Sequence, residues 1–263
     1  MEKKQPIIVP MVALRGLTIF PGMAISFPAG RQKSLDALQA AEENGREVFL
    51  VTQIDPSTPD PGINDVYEIG VLAEVKQVLR LPGNMNHVIV EGRQRGRLHH
   101  IHVKNCDYAE ITLIPQDFNE EPEEFVQALM KIAVEEYEEY LKLAPNTAAM
   151  DLMGNVLSAR KPGQLSDVIV SGLELPFNRK QDFLERLNPI ERLEEVILLM
   201  QAERRILDIK KEIEEKTKEK IDQGQREYFL REELKVIQEE LGDKDGIGAD
   251  AAKYRSQLAE KNP

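Results

Sequence analysis

The sequence has no tryptophan, a single cysteine and few aromatic residues, which make up 5% of its 263 residues. Because Cys106 has no second cysteine to pair with, an internal disulfide is excluded and a cytoplasmic location is expected. No apolar run approaches the ~20 residues that a membrane-spanning helix requires. The charged start, Met1 to Pro6, leads directly into an apolar strand, so we predict neither a secretory leader nor a membrane partner.

Motifs for catalysis are also missing. The phosphate-binding pattern G-x-x-x-x-G-K-[ST] does not occur, so this chain is not expected to hydrolyse ATP. Ser166 has a neighbouring Asp167 but no histidine close in sequence, and we interpret it as structural. Three histidines lie near Cys106, but their spacing does not match a zinc pattern. We therefore predict no enzymatic activity, no cofactor and no metal for these residues.

The charge is strongly negative and unevenly distributed. The net charge is −12, and residues 116 to 140 hold nine acidic residues against one lysine. Such a balance argues against nucleic acid as a partner, because affinity for phosphates comes from clustered Lys and Arg. Arg93, Arg95 and Arg97 alternate along a predicted strand edge and form one candidate anion patch. A nucleic-acid-binding interpretation therefore rests on this patch alone.

Residues 1–115 have the pattern of a β lobe. Short apolar runs bounded by turn signals predict about six strands, and residues 34–43 predict the one helix, ended by Asn44 and Gly45. Two of the predicted strands cover residues 87–90 and 98–103, and Gly92 and Gly96 lie beside the arginines between them. This combination predicts a small, partly closed barrel.

Residues 116–187 have the pattern of a helical bundle lobe. A polar linker around Pro122 is followed by apolar residues at spacings of three and four, with glutamates on the opposite face. Pro145, Pro162 and Pro176 then divide the segment into short helices. The fold class expected for the whole chain is therefore α+β.

A very long helix is predicted over residues 188–242. Asn188 can cap the first turn, Pro189 suits the first helical position, and Gly242 can end the helix. Gly224 is the expected point for a bend, since one glycine costs about 1 kcal/mol inside a helix. Residues 243–263 are expected to form a connector. Apolar residues near the end of the helix repeat at 4-3-4 spacing and are candidates for contact with a partner helix: Leu230, Leu234, Ile237 and Leu241.

The segment Gln225–Gly242, QREYFLREELKVIQEELG, resembles the segment that precedes the ATPase module of Lon, the ATP-dependent protease of the bacterial LonA type. Val12–Gly16, Phe20–Met23 and Gly30–Ser34 are similar to the opening of the amino-terminal domain of that family. The resemblance implies a PUA-like fold for the β lobe and a role in recognising substrates. It also implies a homohexameric parent enzyme with a serine–lysine dyad, whose ATP and Mg²⁺ bind in an ATPase module absent from these residues.

Within this interpretation, an apolar turn is the candidate substrate site. Turns are normally polar, and exposed apolar side chains with adaptable methionines suit the binding of varied unfolded chains. The candidate residues are Leu17, Ile19, Phe20, Met23, Phe27 and, at the tip of a predicted hairpin, Met85. The alternative is that these side chains fold back onto the barrel. Three functions thus stay open: capture of unfolded or degron-bearing proteins, nucleic-acid binding by a PUA-like module, and a coiled-coil structural adaptor.

Overall fold

The computed structural model describes residues 5–80, 86–115, 121–143 and 150–240, without the side chains of residues 80 and 240. The chain divides into two compact units, Met1–Arg205 and Ile206–Pro263. The predicted lobe boundaries at residues 115 and 187 both fall inside the first unit. The architecture is mixed α+β, as expected from the sequence.

The first unit begins with a six-stranded sheet in the order β2-β5-β4-β3-β1-β6. Its strands are β1 (Ile7–Leu14), β2 (Ala24–Ala29), β3 (Glu47–Thr52), β4 (Ile69–Arg80), β5 (Asn86–Val103) and β6 (Asp107–Leu113). Only the pairing of β1 with β3 is parallel among these strands. Because β6 pairs with both β1 and β5, the sheet closes on itself at one end, which confirms the predicted small barrel.

Strand β5 organises this closure. Along one edge it pairs with β4 through residues 86–97, so its other partners must lie on the opposite edge. There it pairs first with β2, through residues 86–91, and then with β6, through residues 96–103. The sequence-based prediction of two separate strands here was wrong, because the glycines at its centre are required by close packing and do not end the strand.

Gly92 is one of these glycines. A Cβ atom placed on it would lie 2.3 Å from the carbonyl oxygen of Phe20, a backbone atom that cannot move aside cheaply. We therefore expect Gly92→Ala to destabilise the protein by about 1–3 kcal/mol, in the range of other overpacked interiors. Urea unfolding measures this loss. Gly154→Ala is the matched control, because no atom lies within 4 Å of its Cβ position, and a loss of similar size there would contradict the explanation.

The barrel core is built from inward-facing residues of five strands and the loop before β4. Its buried cluster consists of Val9, Met11, Phe49, Val51, Val66, Leu72, Leu98, Ala109 and Ile111. Helix α1 (Gln32–Glu43) packs on this barrel through small side chains, with Ala37 and Ala41 fully buried. The chain crosses from β2 to β3 through this helix, which is what allows β1 and β3 to run parallel.

The helices that follow are α2 (Glu123–Leu143), α3 (Met153–Ser158), α4 (Pro162–Gly172), α5 (Phe177–Glu185) and α6 (Pro189–Glu240). Helix α4 is the centre of this group and contacts α2, α3 and α5. Its residues Leu165, Ile169 and Val170 are fully buried. The predicted helical pattern after Pro122 is thus confirmed, with boundaries shifted by a few residues.

The start of α6 follows the prediction closely. The Asn188 side-chain oxygen accepts a hydrogen bond from the amide of Ile190 at 3.0 Å, and the Asn188 amide donates to Glu191 at 2.9 Å. The first turns then bury Leu193, Val196 and Met200 completely. These turns therefore belong to the bundle, although the sequence-based interpretation assigned the whole helix to a separate segment.

The remainder of α6 forms the described part of the second unit. The helix continues through Gly224 without interruption, and every residue from 208 to 239 is exposed. A bend at Gly224 stays a prediction. Leu241 and the connector 243–263 lie outside the described residues. Among the described helices, none is long and apolar enough to cross a membrane.

Candidate binding groove

The apolar turn that is the candidate substrate site is buried. The amide of Gly22 donates to the carbonyl of Gly92 at 2.8 Å, and the amide of Gly92 donates to the carbonyl of Met23 at 2.9 Å. These two bonds hold the turn against β5 and direct its side chains inward. Of the two alternatives that the sequence left open, folding back onto the barrel is therefore the correct one for four of the candidate residues: Ile19, Phe20, Met23 and Phe27 are 2%, 1%, 8% and 5% exposed.

The other two candidates have different outcomes. Leu17 is half-buried, and its carbonyl accepts a hydrogen bond from the Thr52 hydroxyl at 3.1 Å, which fixes its position at the barrel end. Met85 lies outside the described residues. Met23 faces the bundle, with its sulfur 3.6 Å from the Ser171 hydroxyl oxygen. The described candidate residues thus lie in three places. Ile19, Phe20 and Phe27 are in the core, Met23 is at the contact with the bundle, and Leu17 is at the surface.

A groove of about 480 Å³ opens between the end of β1, the end of β2 and the start of α1. It is lined by Val12, Ala13, Leu14, Arg15, Leu17, Phe27, Pro28, Ala29, Gly30, Arg31 and Ser34. The groove brings together two predicted residues, Leu17 and Phe27. It also includes most of Val12–Gly16 and Gly30–Ser34, two of the motifs that carry the family resemblance. That resemblance was the one sequence signal that could have located it.

The groove lies where the barrel is not closed by backbone hydrogen bonds. Pairing of β1 with β6 ends at Pro10, opposite Tyr108, and β1 then continues to Leu14. Strand β2 pairs with β5 along one edge, and among the described residues no strand pairs with its other edge. Two free strand edges therefore border the groove.

Two arginines make the groove electropositive. The guanidinium of Arg31 donates to the side-chain oxygen of the buried Gln53. Burial lowers the pKa of Arg31, and the positive charge of Arg15 lowers it further, while Asp60 partly opposes both effects. Within the described chain, neither arginine has a carboxylate at salt-bridge distance. In a protein of net charge −12, the two arginines form a local concentration of positive charge.

The predicted arginine patch, in contrast, is neutralised. Arg93 forms an ion pair with Glu74, and Arg97 pairs with Glu68 at 2.6 Å. Arg95 is buried and has left the surface altogether. The candidate anion patch on β5 is therefore wrong, because alternate arginines of this strand face acidic neighbours or the bundle. The histidine cluster is similarly engaged, with His102 bonded to Glu110 and His99 to Thr112.

Arg95 belongs to a buried ionic cluster that joins the barrel to the bundle. Both of its terminal nitrogens donate to Asp167 of α4 at 2.7 Å, and its Nε donates to the carbonyl of Leu184 at 2.9 Å. Arg192 of α6 lies 3.2 Å from the same carboxylate and donates to the Ser166 hydroxyl at 2.9 Å. Burial lowers the pKa of Arg192 to about 10, and the carboxylate of Asp167 limits that decrease. Ser166 is thus part of a structural network.

Comparisons with known proteins agree with this architecture. Residues 8–202 match the family model of the ATP-dependent protease La (LON) substrate-binding domain. The chain is 37% identical over 252 residues to the Lon protease of Clostridium acetobutylicum, covering 95% of this chain and 32% of that protein. It is 35% identical over 240 residues to Lon protease 1 of Bacillus subtilis, covering 90% and 30%. The chain thus spans about a third of the length of these relatives.

Solved structures show the same fold. The N-terminal domain of the Lon protease of the Mycobacterium avium complex superimposes with a TM-score of 0.57 at 20% identity, covering 74% of this chain and 98% of that domain. The Lon N-terminal domain protein from Xanthomonas campestris gives a TM-score of 0.52 at 14% identity, covering 73% and 98%. Taken with the family match over residues 8–202, these findings establish that the chain belongs to the family of Lon protease substrate-binding domains.

Proposed function

We propose that this chain captures unfolded or degron-bearing proteins for an ATP-dependent serine protease of the Lon type. The proteolytic and ATP-hydrolysing activities, with their ATP and Mg²⁺, are assigned to segments outside these residues. The observation that carries the proposal is the groove at the open side of the barrel, which combines apolar lining with two arginines that lack carboxylate partners among the described residues. Since the arginines of β5 are neutralised, nucleic acid is the weaker candidate.

Leu17 is the residue with which to test capture. It lines the groove and is partly exposed, so a change there does not remove a core side chain. We expect Leu17→Asp to weaken binding of an unfolded protein about tenfold, equivalent to about 1.4 kcal/mol, because a charged carboxylate would replace an apolar contact and would compete with an acidic ligand for Arg15 and Arg31. Fluorescence anisotropy with a labelled, permanently unfolded protein measures this affinity.

Ile8→Asp provides the matched control for that measurement. Ile8 is an exposed apolar residue on the same strand, β1, but it lies outside the groove. Its substitution should leave the affinity unchanged. Equal effects of both changes, or no effect of Leu17→Asp, would contradict the assignment of the groove.

We further propose that α6 carries contacts between copies of the chain. Six apolar residues of the second unit are about half exposed, with exposed fractions of 48–59%: Ile206, Ile209, Ile213, Leu230, Leu234 and Ile237. All six fall on the a and d positions of a single heptad register that runs from residue 206 to residue 237. The apolar residues near the start and near the end of this span thus form one seam, as in coiled coils.

The polar residues of this seam indicate how two copies would pair. Its centre holds Lys216, Lys220, Gln223 and Glu227 at the same a and d positions. In an antiparallel pair the layers are Ile206 with Ile237, Ile209 with Leu234, Ile213 with Leu230, Lys216 with Glu227, and Lys220 with Gln223. Each apolar residue then meets an apolar one, and the lysine meets a carboxylate. A parallel pair would place Lys216 against Lys216 and Glu227 against Glu227.

The charges beside the seam do not by themselves decide the direction. Antiparallel pairing brings Glu219 of one copy to Arg226 of the other, whereas parallel pairing brings Arg226 to Arg231. Two like-charge pairs oppose the antiparallel arrangement, Glu212 with Glu233 and Lys210 with Arg231. At exposed flanks each charge pair contributes less than about 1 kcal/mol, so the layers within the seam decide.

A further inference from the structure

The groove has the features expected of a binding site for an extended peptide that carries a negative charge. Resting on the proposed capture function, we infer that it binds an extended polypeptide segment as an added strand along the end of β1, with a carboxylate of that segment held between Arg15 and Arg31. An apolar surface alone would determine neither the conformation of the bound ligand nor its charge.

The backbone of β1 provides the first part of the argument. The carbonyl of Leu14 accepts a hydrogen bond from the amide of Gln53, next to β3, at 2.9 Å. Because backbone groups alternate in direction along a strand, the amide and carbonyl of Ala13 point to the opposite edge. That edge borders the groove and is past the end of the pairing with β6. An extended peptide can pair with it in the manner of strand addition.

The opposite wall explains why β1 is the receiving strand. Pro28 of β2 has no amide hydrogen, so β2 offers fewer donors to an added strand than β1 does. Ala13, Ala29 and Gly30 are small and leave room for the side chains of a ligand. Val12, Leu14 and Phe27 are buried and add apolar surface to the lining of the groove. A volume of about 480 Å³ suits a short segment of chain.

The arginines provide the second part. The positive charge of Arg15 acts on Arg31, and the two repel each other. Arg31 is held in place by Gln53, whose own amide donates to the carbonyl of Thr58 at 3.1 Å, and Arg15 reaches the same carbonyl at 3.4 Å. A carboxylate between the two guanidinium groups would relieve the repulsion and accept bidentate hydrogen bonds. Either an α-carboxylate or an Asp or Glu side chain has the required chemistry.

Three labelled peptides with the same alternating apolar sequence test the inference on the full chain. The first ends in a free carboxylate, the second in an amide, and the third is an amide with an aspartate next to the end. We expect the amide to bind at least tenfold more weakly than the free acid. Recovery of affinity by the aspartate peptide identifies a side-chain carboxylate as an equivalent ligand, and no recovery identifies the chain terminus as the specific one. Equal binding of acid and both amides overturns the carboxylate assignment.

The double variant Arg15→Gln, Arg31→Gln assigns the effect to the groove. In this variant the difference between acid and amide should disappear, whereas Arg160→Gln, outside the groove, should keep it.

Strand addition is tested by changing the ligand, so that folding of the protein is not affected. Two peptides carry N-methyl groups on alternate backbone amides, one on the odd and one on the even positions. Only one of the two peptides should lose its binding. Equal binding of both N-methylated peptides overturns strand addition. If unfolded proteins bind but none of these peptides does, the inference fails and capture stands; if neither binds, the proposed function itself fails.

Discussion

Asp167→Ala is expected to lower the free energy of unfolding by about 3–5 kcal/mol, because it leaves two buried arginines without their shared anion. Arg95 and Arg192 are each 3% exposed, and Asp167 is the carboxylate paired with both. Arginine side chains are always charged in proteins, so the unpaired charges must be hydrated by opening the contact between barrel and bundle. Urea unfolding, followed by circular dichroism, measures the change.

Two further variants make this expectation specific. Glu68→Ala removes the carboxylate of a surface pair, with Arg97, and should cost less than about 1 kcal/mol. Asp167→Asn keeps an acceptor oxygen but no charge, and its cost should lie between the other two. A loss for Asp167→Ala no larger than for Glu68→Ala would show that the buried cluster contributes little to stability.

Leu234→Asp is expected to abolish self-association through α6, raising the dissociation constant at least a hundredfold. In the antiparallel pair Leu234 meets Ile209 twice, once in each half, so a single substitution places two carboxylates in apolar layers. A hundredfold change corresponds to about 2.7 kcal/mol. Sedimentation velocity over a concentration series measures it. Val236→Asp is the control, since Val236 is 51% exposed and lies off the seam.

The direction of pairing can be tested by exchanging charges. Lys216→Glu alone and Glu227→Lys alone should each weaken association, since each creates like-charge layers in the antiparallel pair. The double exchange should restore it. In a parallel pair the single changes would only replace one like-charge layer by another, so no loss and no rescue would be seen. That result, or a wild-type chain that remains monomeric at all concentrations, would overturn the proposal.

The sequence predicted what depends on local signals. The cap at Asn188, the helix that ends before Gly45, and the strand runs of the barrel all follow from neighbouring residues, and the structure confirms them. The family resemblance, based on short motifs, is confirmed by the match over residues 8–202.

What the sequence did not predict depends on contacts between distant residues. Phe20 looked like part of an exposed turn because its burial depends on Gly92, which is 72 positions further on in the chain. Arg95 looked like a surface cation because its partner, Asp167, lies on a helix of the bundle. Strand β5 looked like two strands because the need for close approach at Gly92 and Gly96 is visible only once Phe20 and Phe49 are in place.

The distance in sequence between Arg95 and Asp167 has a consequence for synthesis on the ribosome. The barrel, residues 7–113, emerges well before Asp167 has been made, so Arg95 is at first a cation directed at an interface that does not yet exist. The charge of Arg95 opposes dehydration of this surface. We therefore expect the nascent barrel to stay hydrated on the side where the helices will later pack. We therefore expect the barrel to reach its full stability only after α4 and the first turns of α6 have been synthesised, because Arg95 has no buried carboxylate to pair with until then.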